Sequence, residues 1–311
     1  MNEITERIQK EINSVIIGKS DVVAKVLMAV LARGHVLLED VPGVGKTTLA
    51  VSFARTLGLE TRRVQFTSDT MPSDIIGFSV YSREEETFVY KAGAVMTNLL
   101  LADEINRTSS KTQSALLEAM EEYQVTVDGR TYELPSPFVV LATQNPVGSA
   151  GTQLLPASQM DRFLIRTSMG YPDVESQLNI LRDRHHANPL DDITPVVDRE
   201  ELEELIARTT AVHISDPVYR YVVDLVQRTR EHEMIELGVS PRGALALCRM
   251  AKAHAFVEGR DYVTPGDVAD VFPDVCCHRF VMSARARMRR CTDADAAREI
   301  LESVAAPQIR E

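Results

Sequence analysis

Between Val36 and Thr48 the chain reads VLLEDVPGVGKTT. Gly43 and Gly45 stand directly before Lys46-Thr47-Thr48. That order suits a turn that curls its backbone N–H groups around an anion, where a Cβ would obstruct close approach. A helix starting at Lys46 adds orphan N–H groups and a partial positive charge. Lys46 would then reach the β- and γ-phosphates of a nucleoside triphosphate, and the Thr47 hydroxyl would ligate Mg²⁺. The nucleotide-contacting stretch is therefore Pro42, Gly43, Val44, Gly45, Lys46, Thr47 and Thr48. One position departs from the pattern G-x-x-x-x-G-K-[ST]: Asp40 stands where the first glycine is expected. An ordinary strand-to-helix turn would not ask for Gly-Lys-Thr at the helix start.

Further chemistry lies downstream. Asp103 and Glu104 close the apolar run Leu99–Ala102. An acidic pair at the carboxyl end of a buried strand sits where open α/β sheets bind ligands. Asp103 suits a metal ion, held directly or through water, and Glu104 suits the polarising of an attacking water. Asn145 ends the next apolar run and could orient that water. Arg162, in Asp161-Arg162-Phe163, and Arg242, in Ser240-Pro241-Arg242, are candidates for compensating charge during phosphoryl transfer. An arginine so placed is worth on the order of 10³–10⁵ in rate. A lone arginine is as often solvated or salt-bridged.

The elements that must position these residues follow from periodicity. A helix is expected over Thr5–Ser14, and an apolar-periodic one from Asp21 to about Ala32, capped by that Asp. Short buried strands are expected at Val36–Leu38, Asn98–Ala102 and Phe138–Ala142, with further short strands at Arg63–Phe66 and Phe163–Thr167. Ser68–Gly77 reads as turn-rich. Phe78–Tyr90 reads as a hairpin, as does Gln124–Leu134, whose Asp128-Gly129 suits a type I′ turn. A helix is expected over Ser109–Glu122. From Pro172 strand patterns vanish and helices are predicted at Asp173–Arg184, Arg199–Arg208, Asp216–His232, Pro241–Glu258, Pro265–Val271 and Asp293–Val304. The shift in pattern near Gly170-Tyr171 divides the chain into residues 1–170, an α/β nucleotide domain, and 171–311, a helical domain.

Composition narrows the class. The 311 residues include 44% hydrophobic and 25% charged side chains, which is ordinary globular material long enough for about two domains. A net charge of −11 argues against a broad nucleic-acid-binding face. The polar N-terminus does not read as a signal peptide, and no apolar run reaches membrane-spanning length. Four cysteines without a CxxC pair read as reduced thiols, so a cytoplasmic location is expected.

Laid end to end, these pieces resemble an AAA+ ATPase, and within that class the MoxR family. The markers are LLEDVPGVGKT, QFTSDTMPSDIIG, NLLLADEINR, QSALLEAMEE, VTVDGRTYELPSPFVVLATQNP, LPASQMDRF and SPRGALAL, spread from about Ile12 to Arg279. The resemblance implies a five-stranded parallel sheet in an αβα nucleotide domain, then a helical lid. It implies that the Phe78–Tyr90 hairpin is a helix-2 insert and Val125–Leu134 a pre-sensor-1 hairpin. By the same resemblance Asn145 is similar to sensor 1, Arg242 to sensor 2, and Arg162 to an arginine finger supplied to a neighbour. Ile17 and Gly18 fall where the adenine pocket begins. ATP and Mg²⁺ are the implied cofactors. The implied partners are further copies of the chain in a hexameric ring, a von Willebrand factor A domain protein and a protein client, often in metal insertion or enzyme maturation. Ala157 departs from the family's usual Glu, and Lys91-Ala92-Gly93-Ala94 from its usual Gly-Pro turn.

Three function classes stay open on the sequence: an ATP-hydrolysing remodelling motor, a self-contained phosphotransferase, and a nucleotide-gated scaffold with negligible turnover. Glu104 beside Asp103, and a helical lid carrying Ser240-Pro241-Arg242, favour the first.

Overall fold

The structure is a computed structural model that describes residues 2–40, 43–144, 155–183 and 189–308. Helices α1 (Glu3–Asn13) and α2 (Ser20–Leu31) lead into β1 (Val36–Glu39), α3 (Lys46–Thr56) and β2 (Thr61–Gln65). A short helix α4 (Pro72–Ile76) precedes the antiparallel hairpin β3 (Gly77–Ser82) and β4 (Thr87–Ala92). Then come β5 (Leu99–Asp103), α5 (Ser110–Glu122), the hairpin β6 (Gln124–Val127) and β7 (Arg130–Glu133), β8 (Val139–Gln144), α6 (Ala157–Met160) and β9 (Ile165–Thr167).

β1, β2, β5, β8 and β9 form one parallel sheet in the order β2-β5-β8-β1-β9. Its central strands are buried on both faces, so they read as continuous apolar runs. Alternate residues still separate two cores. Val36, Leu38, Leu99, Leu101, Val139 and Leu141 face one core, together with α1–α3. Leu37, Leu100, Ala102, Val140 and Ala142 face the other, with Leu116, Leu117 and Met120 of α5. The second face also carries the two hairpins, joined by Tyr90 stacked on Tyr132 with ring centroids 4.0 Å apart. At the insert's exit, a Cβ on Gly93 would fall 2.3 Å from Gly77 N, so Lys91–Ala94 is shaped by backbone contact.

The C-terminal part is built from α7 (Val174–Asp183), α8 (Arg199–Ala211), α9 (Asp216–Glu231), α10 (Pro241–Val257), α11 (Pro265–Cys276), α12 (Ala284–Arg289) and α13 (Asp293–Ser303). Capping boxes open three of them: Asp198 with Glu201, Thr264 with Asp267, and Thr292 with Asp295. Its apolar residues join the first core, so lid and sheet share one continuous interior.

Three expectations need correction. Strands do not vanish after Pro172, because β10 (Ile235–Leu237) pairs antiparallel with β11 (Val281–Met282). Strands of two and three residues are too short to show alternation. The turn-rich Ser68–Gly77 contains α4, and the six-residue α12 went unforeseen for the same want of length. Asp21 does not cap α2. Lys19 holds that position without a side-chain bond, and Asp21 lies in the first turn, where its charge favours the helix dipole. No described helix is long and apolar enough to cross a membrane.

Candidate functional site: a phosphate cradle and a distant arginine pair

The buried strand β1 delivers the chain to Asp40, and the turn reaches α3 through Gly43 (φ 87°) and Gly45 (φ 97°). Both glycines are in the left-handed region, where a side chain would be strained. Among the described residues nothing lies within 4 Å of a Cβ built on Gly43, so the need there is conformational. No side chain among the described residues caps α3. A helix start behind left-handed glycine directs the N–H groups of its first turn, at Lys46–Thr48, and the positive end of the helix dipole toward the loop, and this fits an anionic ligand. Lys46 is buried and donates from Nζ to the Asp40 carbonyl at 3.0 Å. A cavity of about 390 Å³ joins Gly43, Gly45, Lys46, Thr47 and Thr48 to Asp103, Glu104, Arg63 and Gln65.

Asp103 closes β5 as the carboxyl-end position requires. Its Oδ1 accepts the Thr143 hydroxyl at 2.6 Å, and its Oδ2 accepts from the Arg63 guanidinium at 2.8 Å. Glu104 follows in a left-handed conformation (φ 58°), which turns its side chain away from the strand's alternation. Its backbone N–H donates to Thr143 Oγ1 at 2.9 Å, so one hydroxyl fixes both acids. The Glu104 carboxylate accepts from Gln65 Nε2 at 2.9 Å and pairs with Arg107 at 3.1 Å. No group of three or more His, Cys, Asp or Glu side chains suits a metal among the described residues.

The two arginines lie elsewhere. Arg162 Nε donates to Glu121 Oε2 at 2.8 Å, and Arg242 binds the other oxygen of the same carboxylate. The Arg162 hydrogen bond, with the charges of both arginines, holds the Glu121 carboxyl below its ordinary range. Glu121 is near the end of α5, beside His35 at the start of β1. His35 accepts the Val140 N–H on Nδ1 at 3.0 Å, so its Nε2–H donates to Met120 O at 2.9 Å. Burial lowers this imidazole to about 4 and keeps it neutral. The arginine pair thus sits at the amino edge of the sheet, and the cradle at its carboxyl edge. The four residues of β1 put about 13 Å between them. Arg242 was expected near the phosphates; within one chain it joins Arg162 instead, because Ser240 and Arg279 both bind Asp161 and draw the start of α10 to that edge.

Gly18 (φ 73°) packs against the turn that opens α7. A Cβ there would lie 2.2 Å from Ser176 Oγ, and the neighbouring Lys19 donates to Tyr171 O at 2.9 Å. Ile17, half-buried, precedes it. Pro42 and Asn145 lie outside the described residues. Sequence reasoning missed Thr143, Arg63, Gln65 and Arg107, which reach Asp103 and Glu104 from β8, β2 and the turn after β5. Gln65 and Asp103 are partners in the parallel register of β2 and β5, a pairing set by the fold and not by any local pattern.

Residues 35–165 match the family described as ATPases associated with various cellular activities (AAA), and residues 227–302 match the AAA lid domain. The chain is 40% identical over 314 residues to chaperone MoxR1 of Mycobacterium tuberculosis, spanning 98% of this chain and 82% of that protein. It belongs to the MoxR family of AAA+ ATPases. It is also 45% identical over 298 residues to the Bacillus subtilis protein YeaC, spanning 96% and 93% of the two chains. A crystal structure of a candidate ATPase from Cytophaga hutchinsonii superposes with a TM-score of 0.91 at 37% identity, covering 98% of this chain and 95% of that one. The matched stretch 35–165 includes every residue that lines the carboxyl-edge cavity.

Proposed function

We propose that this MoxR-family protein hydrolyses Mg²⁺-bound ATP at sites completed by a neighbouring copy in a ring, a hexamer by family resemblance, and uses the cycle to remodel a protein client. The observation that carries the reading is the separation of the cradle from Arg162 and Arg242. A chain that binds phosphate at one edge and presents two arginines at the other has the parts for a head-to-tail assembly, in which one copy's arginines reach the next copy's phosphates. Bound Mg²⁺ would neutralise charge on the β- and γ-phosphates. Lys46 and the first-turn N–H groups would hold those oxygens, Thr47 and Asp103 would hold the ion, and Glu104 would take a proton from the attacking water. Ile17 and Gly18 would border the base, and Asn145 would orient the water. Residues 1–170 serve as the motor core and 171–311 as the lid. A von Willebrand factor A domain partner, with a role in metal insertion or enzyme maturation, rests on the family resemblance alone.

The hold of Gln65 and Arg107 on Glu104 favours a second reading, a nucleotide-gated switch with slow basal turnover. Turnover per subunit against protein concentration, with and without added Arg162→Ala protein, tests the main proposal. Turnover that rises with concentration and is poisoned by the variant supports shared sites. Flat turnover indifferent to the variant means a self-contained site.

A further inference from the structure

Asp40, the departure from the phosphate-loop pattern, makes more hydrogen bonds than a glycine there could. It is buried, and its carboxylate accepts from three successive residues: Ser168 Oγ at 2.8 Å and Gly170 N at 2.9 Å on Oδ1, and Met169 N at 2.5 Å on Oδ2. The same residue's carbonyl accepts from Lys46 Nζ. Residues 168–170 leave β9 for the helical lid, and Gly170 turns the chain in the left-handed region (φ 59°). On the far side of that turn Lys19 holds Tyr171 O. A continuous set of bonds thus runs from Lys46 through Asp40 to the only described segment joining sheet to lid.

We infer that Asp40 is a positioning residue that couples the phosphate cradle to the core–lid hinge. Lys46 carries three donors and can hold the Asp40 carbonyl and a phosphate oxygen together. Any shift of Lys46 on binding then moves Asp40, and with it the three donors at the hinge. A glycine would leave the Met169 and Gly170 N–H groups to other partners and break the chain of bonds between loop and lid. This inference rests on the nucleotide-binding reading above.

The test is amide hydrogen exchange of the full chain, with and without a non-hydrolysable ATP analogue and Mg²⁺. In the wild type the analogue should slow exchange at Lys46–Thr48 and also at Met169–Ser176, by about tenfold or more at each. In Asp40→Gly the slowing at Lys46–Thr48 should persist while that at Met169–Ser176 disappears. Ser168→Ala, which removes one of the three donors and leaves the loop intact, should reduce the hinge response by about half. A full hinge response in both variants overturns the coupling, as does loss of the loop response in Asp40→Gly, which would make Asp40 part of the phosphate site itself. No slowing at Lys46–Thr48 in the wild type would instead remove the nucleotide-binding reading, which separates the two failures.

Discussion

The two edges of the sheet hold similar charges to different ends. At the carboxyl edge Asp103 and Glu104 are met by Arg63, Arg107, Gln65 and Thr143, so each acid has a fixed partner and a fixed direction. At the amino edge the balance is reversed. One carboxylate, Glu121, serves both Arg162 and Arg242, whose side chains are partly exposed. On the proposed function, the first edge would receive a cation and a polyphosphate. The second presents cations that a surface carboxylate holds only weakly, since ion pairs at that exposure contribute about 1 kcal/mol or less. A phosphate on another copy could displace Glu121 at small cost. The contrast teaches that one chain can hold its acids firmly at one edge of a sheet and its arginines loosely at the other.

The largest effect should come from breaking the carboxyl edge. Lys46→Ala removes the point charge beside the cradle and should abolish tight ATP binding, measured by isothermal titration; wild-type affinity would mean the loop is misread. Glu104→Gln should leave binding within a few-fold while steady-state hydrolysis falls by about 10²–10⁴. Unchanged turnover would sink the water-activating role.

At the amino edge, Arg162→Ala should lower turnover by about 10³ or more while leaving nucleotide affinity near the wild-type value. Mixed with wild-type protein it should depress activity more than its share of subunits. Equal loss of affinity and turnover would mean Arg162 acts on its own chain's nucleotide. Thr143→Val sharpens the comparison from the other side. It removes the hydroxyl that orients Asp103 and Glu104 but no charge, so hydrolysis should fall by about tenfold, the equivalent of one hydrogen bond. A pulsed chase from pre-bound ATP separates that change from one in binding.

The centre of the sheet was legible because its strands are buried on both faces, as Leu99–Ala102 and Val139–Ala142 illustrate. The hairpin turn at Asp128-Gly129 was legible from residue type, and both residues take the expected positive φ (50° and 76°). The cradle was legible because Gly-Lys-Thr has few other uses. What the sequence hid was anything set by distant packing. Nothing in Ser240-Pro241-Arg242 says that Asp161 will draw that helix start to the amino edge, 79 residues away in the case of Ser240. Nothing in Asp40 reveals that its partners are more than 120 residues on. Thr143 was hidden for another reason: a hydroxyl within a buried strand reads as core until its acceptor is known.

The smallest effect tests whether the amino edge depends on how α10 is anchored. Far along that helix from Arg242, His254 Nδ1 meets Asp267 Oδ1 at 2.6 Å, and Asp267 also accepts two bonds from Arg260 and two from Thr264. Burial alone would raise the Asp267 carboxyl. The bonds from Arg260, His254 and Thr264 together hold it well below its ordinary range. The hydrogen bond to Asp267, reinforced by the charges of Asp267, Asp270 and Glu258, raises the His254 imidazole above 6.5 despite partial burial. The two shifts have opposite consequences. Asp267 contributes stability above its unfolded value near 3.8 and loses it as pH falls toward the folded value, so this clamp should open in acid. His254 contributes fully below 6.5 and loses its part as pH rises through the raised value. Wild type should therefore exceed His254→Gln in urea stability by about 1 kcal/mol near pH 5.5, and by much less near pH 8.5. If the lid clamp anchors the arginine pair, subunit-mixing poison by Arg162→Ala should weaken in the His254→Gln background while ATP affinity at the cradle stays as it was. A pH-independent gap between the two proteins would mean His254 acts by packing and not by charge.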